Sequence, residues 1–365
     1  MKPYKPQRLP IEDLDWSAFI ELVGKANRFV ARYDGLLQSV VNPEVLLAPL
    51  RTQEAVLSSK IEGTQATLED VMEFEADADT LQSESKYGDI LEVINYRRAL
   101  LKGKEQMNVR PINLNDLLKI HEILLRGVRG ERKAPGNFRK IQNWIGSPGS
   151  TMEQARFVPP AFPDMMEGLY NWEKYLHHED KDVLVQLAIV HAQFEILHPF
   201  IDGNGRIGRI LIPLFLFHKG IIHQPVFYMS QYLESNRQLY YDALKEITDT
   251  GRWEGWIQFF LSGIIQQAEK NVKQTREIIS LYDTMKTVMV DKTHSQYSIQ
   301  CLDYIFSRPV FNTSDFNKSS GVPKTSASRL LKGMEENGII SCVRRGAGRK
   351  PGVFAFRKLL DIANQ

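Results

Sequence analysis

The sequence is poor in cysteine, with Cys301 and Cys342 the only two in 365 residues. Two isolated cysteines cannot supply a zinc site, and nothing here indicates an oxidising compartment. Long hydrophobic runs are missing too, since the longest, ILIPLFLF at 210–217, is far too short to cross a bilayer. The first residues contain no apolar stretch like that of a signal peptide. We therefore expect a cytoplasmic protein with no membrane partner.

A large net charge is also missing, because 46 Lys and Arg nearly balance 44 Asp and Glu. Over the whole chain this balance gives no reason to expect a polyanionic partner. The charge is unevenly spread, however. Residues 321–358 hold nine Lys or Arg and two Glu, a net charge of +7. This distribution indicates a basic C-terminal module on a mildly acidic body.

Most of the chain has the apolar periodicity of α-helices. Residues 50–62 are predicted to form a helix closed by Gly63, and Thr67 with Asp70 resembles a capping box for the next helix. Residues 182–197 are apolar nearly all round, which predicts a buried central helix. Further helices are predicted at 88–102, 114–126, 164–177, 233–247 and 252–280.

Two regions depart from this pattern. QNWIG (142–146) and ARFVPP (155–160) flank a turn-rich stretch, which predicts a β-hairpin protruding from the helical body. After about residue 290, three predicted helices precede two short strands joined by the basic tip GAGRKPG. That order is typical of a winged helix-turn-helix. The predicted fold class is therefore mainly α, with a small β-hairpin and a C-terminal winged helix-turn-helix domain.

The stretch HPFIDGNGRIGR, from His198 to Arg209, is chemically dense. Pro199 ends the buried helix, and 202–205 is predicted to be a tight turn whose two glycines can both take positive φ. A second helix is predicted to resume at Arg206. A helix that begins on a glycine-rich turn leaves backbone N–H groups unpaired, and such groups bind anions.

The side chains of this loop suit a nucleotide. Arg206 and Arg209 lie three apart on one helix face and fit a chain of phosphates better than a single carboxylate. Asp202 is the hard oxygen ligand that a phosphate-bound Mg²⁺ prefers. His198 can accept a proton from an attacking hydroxyl. Because the C-terminal dipole of a helix favours imidazolium, something must hold His198 neutral.

Other enzyme classes fit less well. His191, Glu195 and His198 could present three metal ligands on one helical face, but this spacing is not HExxH and leaves the glycines and arginines unexplained. A P-loop enzyme is disfavoured because GxxxxGK[ST] does not occur.

The loop resembles the signature of Fic-domain proteins, HPFx[DE]GNGRxxR, at every fixed position. The body at 88–265 also looks like a Fic domain, including the GNFR and NWIG elements ahead of the hairpin. The resemblance implies a helical Fic core with a β-hairpin flap. It further implies transfer of AMP from ATP, with Mg²⁺, to a hydroxyl side chain of a target protein.

The resemblance assigns roles by position. His198 would be the general base, Phe200 a core anchor and Asp202 the Mg²⁺ ligand. The remaining assignments are phosphate contacts by Gly203, Asn204, Gly205, Arg206 and Arg209, and a place near the nucleotide base for Tyr240 and Tyr241.

SSKIEG at 58–63 fits the family's inhibitory pattern [ST]xxxE[GN] through Ser58, Glu62 and Gly63. Because a carboxylate is the simplest competitor for a guanidinium, Glu62 is expected to pair with Arg209 and misalign the nucleotide. The predicted domains are an N-terminal helical region with the inhibitory motif (1–87), a Fic domain (88–265), a helical linker (266–295) and a winged-helix domain (296–365).

Several alternatives stay open at this point. The chain could instead be a DNA-binding regulator with the Fic core as a nucleotide sensor, or an enzyme that removes AMP. The expected partners are a target protein with a Ser, Thr or Tyr hydroxyl, docked on the flap at 142–160, and DNA at 298–358. A homodimer and donors other than ATP, such as UTP or GTP, are not excluded.

Overall fold

The computed structural model describes residues 2–78, 83–146, 149, 151–348 and 350–365. Within these residues it contains sixteen α-helices and one three-stranded sheet, which confirms the mainly α fold class. The helices are α1 (Ile20–Ser39), α2 (Pro43–Leu46), α3 (Ala48–Ile61), α4 (Leu68–Ala76), α5 (Glu84–Met107), α6 (Leu114–Leu124), α7 (Phe162–Leu176), α8 (Val183–Leu197), α9 (Asn204–His218), α10 (Ser230–Ser235), α11 (Arg237–Thr250), α12 (Glu254–Thr293), α13 (Ser298–Ser307), α14 (Thr313–Ser319), α15 (Lys324–Glu336) and α16 (Arg357–Ala363). The strands are β1 (Val310–Asn312), β2 (Ser341–Arg344) and β3 (Val353–Ala355).

The chain folds into two compact units. The first comprises Met1–Asp34, Leu57–Gly63 and Asn95–Glu269. The second comprises Gly35–Val56, Thr64–Ile94 and Lys270–Gln365. The four domains proposed from the sequence stay a prediction.

Helix α8 forms the centre of the first unit, as its apolar composition predicts. Every residue of α8 except Val183 and Glu195 is buried, and α8 packs against α7, α9 and α11. The buried indole N–H groups of Trp172 and Trp256 donate to backbone carbonyls of α8, at 2.9 and 2.8 Å. These bonds satisfy polar groups that burial would otherwise leave unpaired.

Two predicted helices differ from those observed. The stretch at 233–247 belongs to two helices, α10 and α11, which meet at Asn236. The Asn236 side chain donates to the carbonyl of Tyr232 at 2.9 Å, a local bond that competes with helix continuation. The helix predicted at 252–280 continues to Thr293.

The predicted hairpin flap is present as one antiparallel bridge. Ile145 and Phe157 exchange backbone hydrogen bonds of 2.8 and 3.1 Å. Residues 147, 148 and 150 of the predicted flap lie outside the described part of the chain.

The second unit contains the sheet, with strand order β1-β3-β2 and antiparallel pairing throughout. The sequence predicted the two strands now labelled β2 and β3, but not β1 or the terminal helix α16. Helix α4 packs against β1, and its N-terminus has the capping box predicted from Thr67 and Asp70.

Among the described residues, no helix combines the length and apolar character that a membrane span requires.

Candidate active site

The loop after α8 owes its shape to two left-handed residues. His198 caps α8 with φ 46°, and its N–H donates to the carbonyl of Phe194 at 3.0 Å. Gly203 has φ 83° and precedes α9, which begins at Asn204. The expectation of positive φ at both glycines and of a helix start at Arg206 was wrong, because Gly205 already belongs to α9.

Asn204 ties the loop to itself. Its side chain accepts a bond from the N–H of Phe200 at 2.8 Å and donates to the Phe200 carbonyl at 2.9 Å. The Phe200 ring is fully buried and stacks on His121 with ring centroids 3.8 Å apart. The position of Phe200 thus fits the anchoring role that the resemblance implies.

His121 supports the loop from α6, and the sequence reasoning missed it. Its Nδ1 accepts the N–H of Gly136 at 3.0 Å, so the opposite nitrogen, Nε2, carries the hydrogen that bonds the Asp202 carbonyl at 2.9 Å. Burial lowers the pKa of His121 to about 4, which keeps this tautomer neutral. A single histidine in an amphipathic helix provides no motif that could have revealed it.

His198 has the protonation state that a general base needs. Burial lowers the pKa of His198 to about 4, and Arg139 adds to this while the Glu195 carbonyl opposes it. The Nδ1 atom lies 3.3 Å from that carbonyl oxygen, which can only accept, so Nδ1 carries the hydrogen. The lone pair is then on Nε2. Desolvation therefore outweighs the helix dipole that favours imidazolium.

The two arginines of the loop are both buried and differ in their contacts. Arg206 lies with Nη2 3.2 Å from Oδ1 of Asp202. Arg209 is held by the end of α3: its Nε donates to Ser58 Oγ at 2.8 Å, and its Nη2 donates to the Ser58 carbonyl at 3.0 Å and to Glu62 Oε1 at 2.7 Å.

Glu62 follows the last residue of α3 and precedes Gly63, whose φ of 98° turns the chain away. Burial acts to raise the pKa of Glu62, but Arg209 outweighs it and the pKa is lowered. The carboxylate is therefore ionised at neutral pH, and it forms an ion pair with Arg209 as the sequence predicted.

Gly205 is needed because a side chain at this position would clash with its neighbours, and not because of its φ angle. A Cβ at this position would lie 2.3 Å from Oε1 of Glu62 and 2.9 Å from Nη1 of Arg209. Only glycine leaves room for the ion pair beside the first turn of α9.

A cavity of about 360 Å³ lies over this site. Of the residues predicted from the sequence, Glu62, His198, Gly205, Arg209, Tyr240 and Tyr241 line it. Asp202, Gly203, Asn204 and Arg206 build the adjoining loop. The flap contributes Trp144 and Phe157 to the wall.

The two tyrosines are placed differently. Tyr240 is buried, and its hydroxyl donates to Nε2 of His191 at 3.0 Å. The ring of Tyr241 lies 5.8 Å from the guanidinium carbon of Arg156. Both rings line the cavity, and their contact with a nucleotide base stays a prediction.

Glu195 also lines the cavity, and no role was predicted for it beyond the disfavoured metal site. Its Oε1 is buried without a hydrogen-bond partner among the described residues. Burial raises the pKa of Glu195 to about 7, Arg209 opposes this and Glu62 adds to it.

The metal site considered at His191, Glu195 and His198 has no support. His191 uses both ring nitrogens, Nδ1 toward the Gly208 carbonyl and Nε2 toward Tyr240. No group of three or more His, Cys, Asp or Glu suited to a metal occurs in the part of the chain described here.

A phosphate-bound Mg²⁺ needs fewer protein ligands, because it is usually held by one or two carboxylates and keeps waters and phosphate oxygens as its other ligands. Asp202 could supply one such carboxylate. Its side chain is 39% exposed and points an oxygen toward buried Arg206.

The sequence matches two protein families. Residues 20–105 match the family described as Fic/DOC family N-terminal, and residues 111–216 match the Fic/DOC family.

Curated relatives carry related names. A probable protein adenylyltransferase of Aquifex aeolicus is 27% identical over 206 residues, which are 56% of this chain and 57% of that protein. The protein adenylyltransferase Fic of Drosophila grimshawi is 30% identical over 164 residues, 44% of this chain and 29% of that protein. The chain thus spans about half or less of the length of these relatives.

Solved structures show the same fold. A Fic family protein from Desulfovibrio desulfuricans G20 aligns over 98% of both chains with a TM-score of 0.58 and 19% identity. A Fic domain containing signaling protein from Bacteroides thetaiotaomicron aligns over 71% of this chain and 97% of its own, with a TM-score of 0.54 and 15% identity. The family matches cover residues 20–105, similar to the N-terminal domain of the Fic/DOC family, and residues 111–216, similar to its Fic domain.

Proposed function

We propose that the chain is a protein adenylyltransferase, which transfers AMP from ATP to a hydroxyl side chain of a target protein and to itself. One observation carries the proposal: a single cavity joins neutral His198, the guanidinium of Arg209 and the N-terminal end of α9. A base, a cation and a helix N-terminus are what attack on a phosphate chain requires. The Fic/DOC domains and the names of the relatives support the same activity.

In the proposed reaction, Nε2 of His198 accepts the proton of the target hydroxyl. The hydroxyl oxygen then forms a bond to the α-phosphorus, and the bond between that phosphorus and the bridging oxygen breaks. Pyrophosphate leaves with the electron pair. Because His198 is neutral at pH 7, it needs no prior deprotonation.

The first turn of α9 and its arginines would hold the phosphates. Backbone N–H groups of Gly203, Asn204 and Gly205 would contact the α- and β-phosphates. Arg206 would contact the β-phosphate and Arg209 the γ-phosphate. Asp202 would hold Mg²⁺, which, when bound, neutralises charge on the phosphates and on the departing pyrophosphate.

The target would dock on the flap at 142–160. An exposed strand edge can bind an extended segment through main-chain hydrogen bonds. Trp144 is 44% exposed and suits this contact, whereas Val158 is buried. Because Trp144 also lines the cavity, Trp144→Ala should slow modification of a target by a larger factor than it weakens ATP binding.

We further propose that Glu62 inhibits transfer. With its guanidinium bonded to Ser58 and Glu62, Arg209 is not available to a γ-phosphate, and a misplacement of about 1 Å costs roughly 10²-fold in rate. Incubation of Glu62→Gly protein with ATP labelled at the α- or the γ-phosphate tests both proposals. We expect strong self-labelling from α-labelled ATP alone, and much weaker labelling of the wild type.

His198→Ala in the Glu62→Gly protein is the control, since it should abolish labelling with ATP binding retained. Loss of a general base costs roughly 10²–10⁴ in rate. Label from the γ position would indicate phosphoryl transfer and refute the proposal. A folded Glu62→Gly protein that binds ATP and labels no faster than wild type would refute the inhibitory role.

Removal of AMP is a second candidate activity. Ionised Glu62 and neutral His198 line one cavity, and a carboxylate there could orient a water molecule toward a phosphorus atom. Incubating AMP-labelled target with the wild type and with Glu62→Gly tests this. Release of AMP by the wild type alone is the expected result.

We also propose that residues 298–358 form a winged helix-turn-helix that binds duplex DNA. Helix α15 exposes Lys324 and Arg329, neither of which has a carboxylate within ion-pair distance among the described residues. The end of β2 and the loop after it, which would form the wing, are less able to contact DNA because the arginines described there are already paired. Arg345 is bonded to Glu335 at 2.7 Å, and Arg344 pairs with Asp77. Arg349 lies outside the described residues.

Fluorescence anisotropy with a mixed-sequence duplex at stepped salt concentrations tests this surface. Lys324→Ala and Arg329→Ala should each reduce the salt dependence by about one phosphate contact. Arg345→Ala is the control and should change it less, because Glu335 already neutralises that arginine. No affinity at low salt would refute DNA binding and favour a protein partner.

A further inference from the structure

Arg139 is an unusual arginine. It is fully buried, in the GNFR stretch after α6, and no carboxylate of the described chain lies within ion-pair distance. Burying an unpaired charge is expensive, so a buried arginine normally has an acidic partner. Burial lowers the pKa of Arg139 to about 10, which leaves it charged at neutral pH.

Carbonyl oxygens replace the missing acid. The Nε of Arg139 donates to the His198 carbonyl at 2.9 Å, and Nη2 reaches the Leu197 carbonyl at 3.4 Å. Its backbone N–H donates to the Pro199 carbonyl at 2.9 Å. These oxygens lie at the C-terminal end of α8, where the helix dipole places negative partial charge.

The same guanidinium also holds both ends of the flap. Its Nη1 donates to the carbonyl of Ile141 at 3.2 Å, just before the flap, and Nη2 donates to that of Pro160 at 2.5 Å, at its end. One side chain therefore fixes the flap base relative to the backbone of His198.

That backbone needs support. His198 has a left-handed conformation, which is strained for a residue with a side chain. Such strain persists only where the surroundings impose it. Hydrogen bonds from Arg139 to the carbonyls of His198 and Pro199 orient both peptide groups after the histidine, and so set the direction of the imidazole.

We propose that Arg139 is a positioning residue that aligns the general base with a hydroxyl presented on the flap. The inference rests on the proposed function. Arg139 touches neither ATP nor target, so its loss reduces the rate of transfer and not the affinity for ATP.

The test uses Arg139→Met and Arg139→Lys in the Glu62→Gly protein. Methionine removes the charge and all side-chain donors. Lysine keeps the charge but loses the planar guanidinium, which can donate to several carbonyls at once. The control is Gln186→Met. Gln186 is also fully buried and donates to two carbonyls, those of Tyr175 and His178, at the end of α7 away from His198.

For Arg139→Met we expect kcat to fall by roughly 10²-fold, the cost of a misplaced reacting group. The Kd for a non-hydrolysable ATP analogue should stay within about threefold, given phosphate contacts elsewhere. Arg139→Lys should recover part of kcat. The control should match the parent in kcat at a temperature where all variants are folded.

A second readout does not depend on transfer. The positive charge of Arg139 contributes to lowering the pKa of His198, so NMR titration of the histidine ring should give a higher midpoint in Arg139→Met and the parent value in Arg139→Lys. The His198→Ala spectrum identifies the resonance.

Equal losses of kcat in Arg139→Met and Gln186→Met, or an unchanged midpoint in Arg139→Met, would overturn the positioning role. Should Arg139→Met fail to fold, a kcat below that of the parent at unchanged ATP affinity in Arg139→Lys supports the positioning role, and a kcat equal to that of the parent contradicts it. Absence of any α-label transfer in the Glu62→Gly parent would instead refute the proposed function, and the titration would still test Arg139.

Discussion

At the scale of single residues, desolvation determines the protonation states of the buried groups in the site. Burial keeps His198, His191 and His121 neutral, and it makes a free carboxylate at Glu195 costly. A sequence motif identifies which residues meet, but it does not show how dry their surroundings are. The protonation states could therefore be assigned only from the structure.

Glu195 should make stability depend on pH. Its pKa is about 7 in the folded chain against an ordinary 4.5, so the folded state holds a proton that the unfolded state releases. The stabilisation is complete below about 4.5 and is lost as the pH rises through 7. Glu195→Gln cannot ionise, so we expect its Tm relative to wild type to increase between pH 5 and pH 8. Exposed Glu167→Gln should show no such trend, and a pH-independent difference for Glu195→Gln would contradict the assignment.

Gly205→Ala should break the Glu62–Arg209 ion pair with a different effect on activity from that of Glu62→Gly. A methyl group at this position displaces Glu62 Oε1, which it would approach to 2.3 Å, but it also occupies the place proposed for the phosphates. Gly205→Ala should therefore fail to activate transfer and should weaken ATP binding, unlike Glu62→Gly. Calorimetric titration with an ATP analogue measures this. Gly24→Ala, at a helical position with open space around it, is the control. ATP affinity equal to wild type in Gly205→Ala would place the phosphates elsewhere.

At the scale of elements, two residues one helical turn apart at the end of α3 accept hydrogen bonds from Arg209. Ser58 and Glu62 are four residues apart, so both reach the same guanidinium. Ser58→Ala removes one neutral acceptor and leaves the carboxylate. A hydrogen bond with a charged donor contributes about 1.5 kcal/mol or more, roughly a tenfold change in population. We expect self-labelling to rise by that order, well below the gain from Glu62→Gly.

The neighbouring Ser59 is a matched control for this measurement. It is fully buried on the same helix, and its Oγ has no partner among the described residues. Ser59→Ala should leave labelling unchanged. If it activates as strongly as Ser58→Ala, loosening of α3 and not the loss of a contact to Arg209 explains both.

Sequence patterns predicted the elements with strong periodicity and missed those without it. The buried helix α8 and the capping box at Thr67 follow from apolar content and cap chemistry, whereas the pairing of Glu62 with Arg209 was expected from the family resemblance together with opposite charge. Strand β1 depends on tertiary pairing that a local pattern does not contain, and the break at Asn236 depends on a local side-chain bond that apolar periodicity does not show. The roles of His121 and Arg139 went unrecognised for a related reason, because their partners are backbone groups, which carry no signature in the sequence.

At the scale of the whole molecule, the proposed inhibitory role of Glu62 would link stability to nucleotide binding. Arg209 is buried whereas the Glu62 side chain is 35% exposed, and removing Glu62 leaves the buried guanidinium without its charged partner. The Glu62→Gly protein should therefore have a lower Tm than wild type without nucleotide. The same change frees Arg209 for a γ-phosphate, so ATP should bind more tightly.

Thermal unfolding with and without ATP–Mg²⁺ tests this link. A ligand stabilises the folded state in proportion to the logarithm of its concentration over Kd, and a tenfold lower Kd adds about 1.4 kcal/mol at saturation. Measured in the His198→Ala background, so that transfer does not consume ATP, the Tm increase should be larger for Glu62→Gly than for the protein that retains Glu62. ADP, which has no γ-phosphate, should show a smaller difference between the two. An equal increase with ATP would mean that Glu62 does not compete for Arg209, and the basis of the inhibitory proposal would be lost.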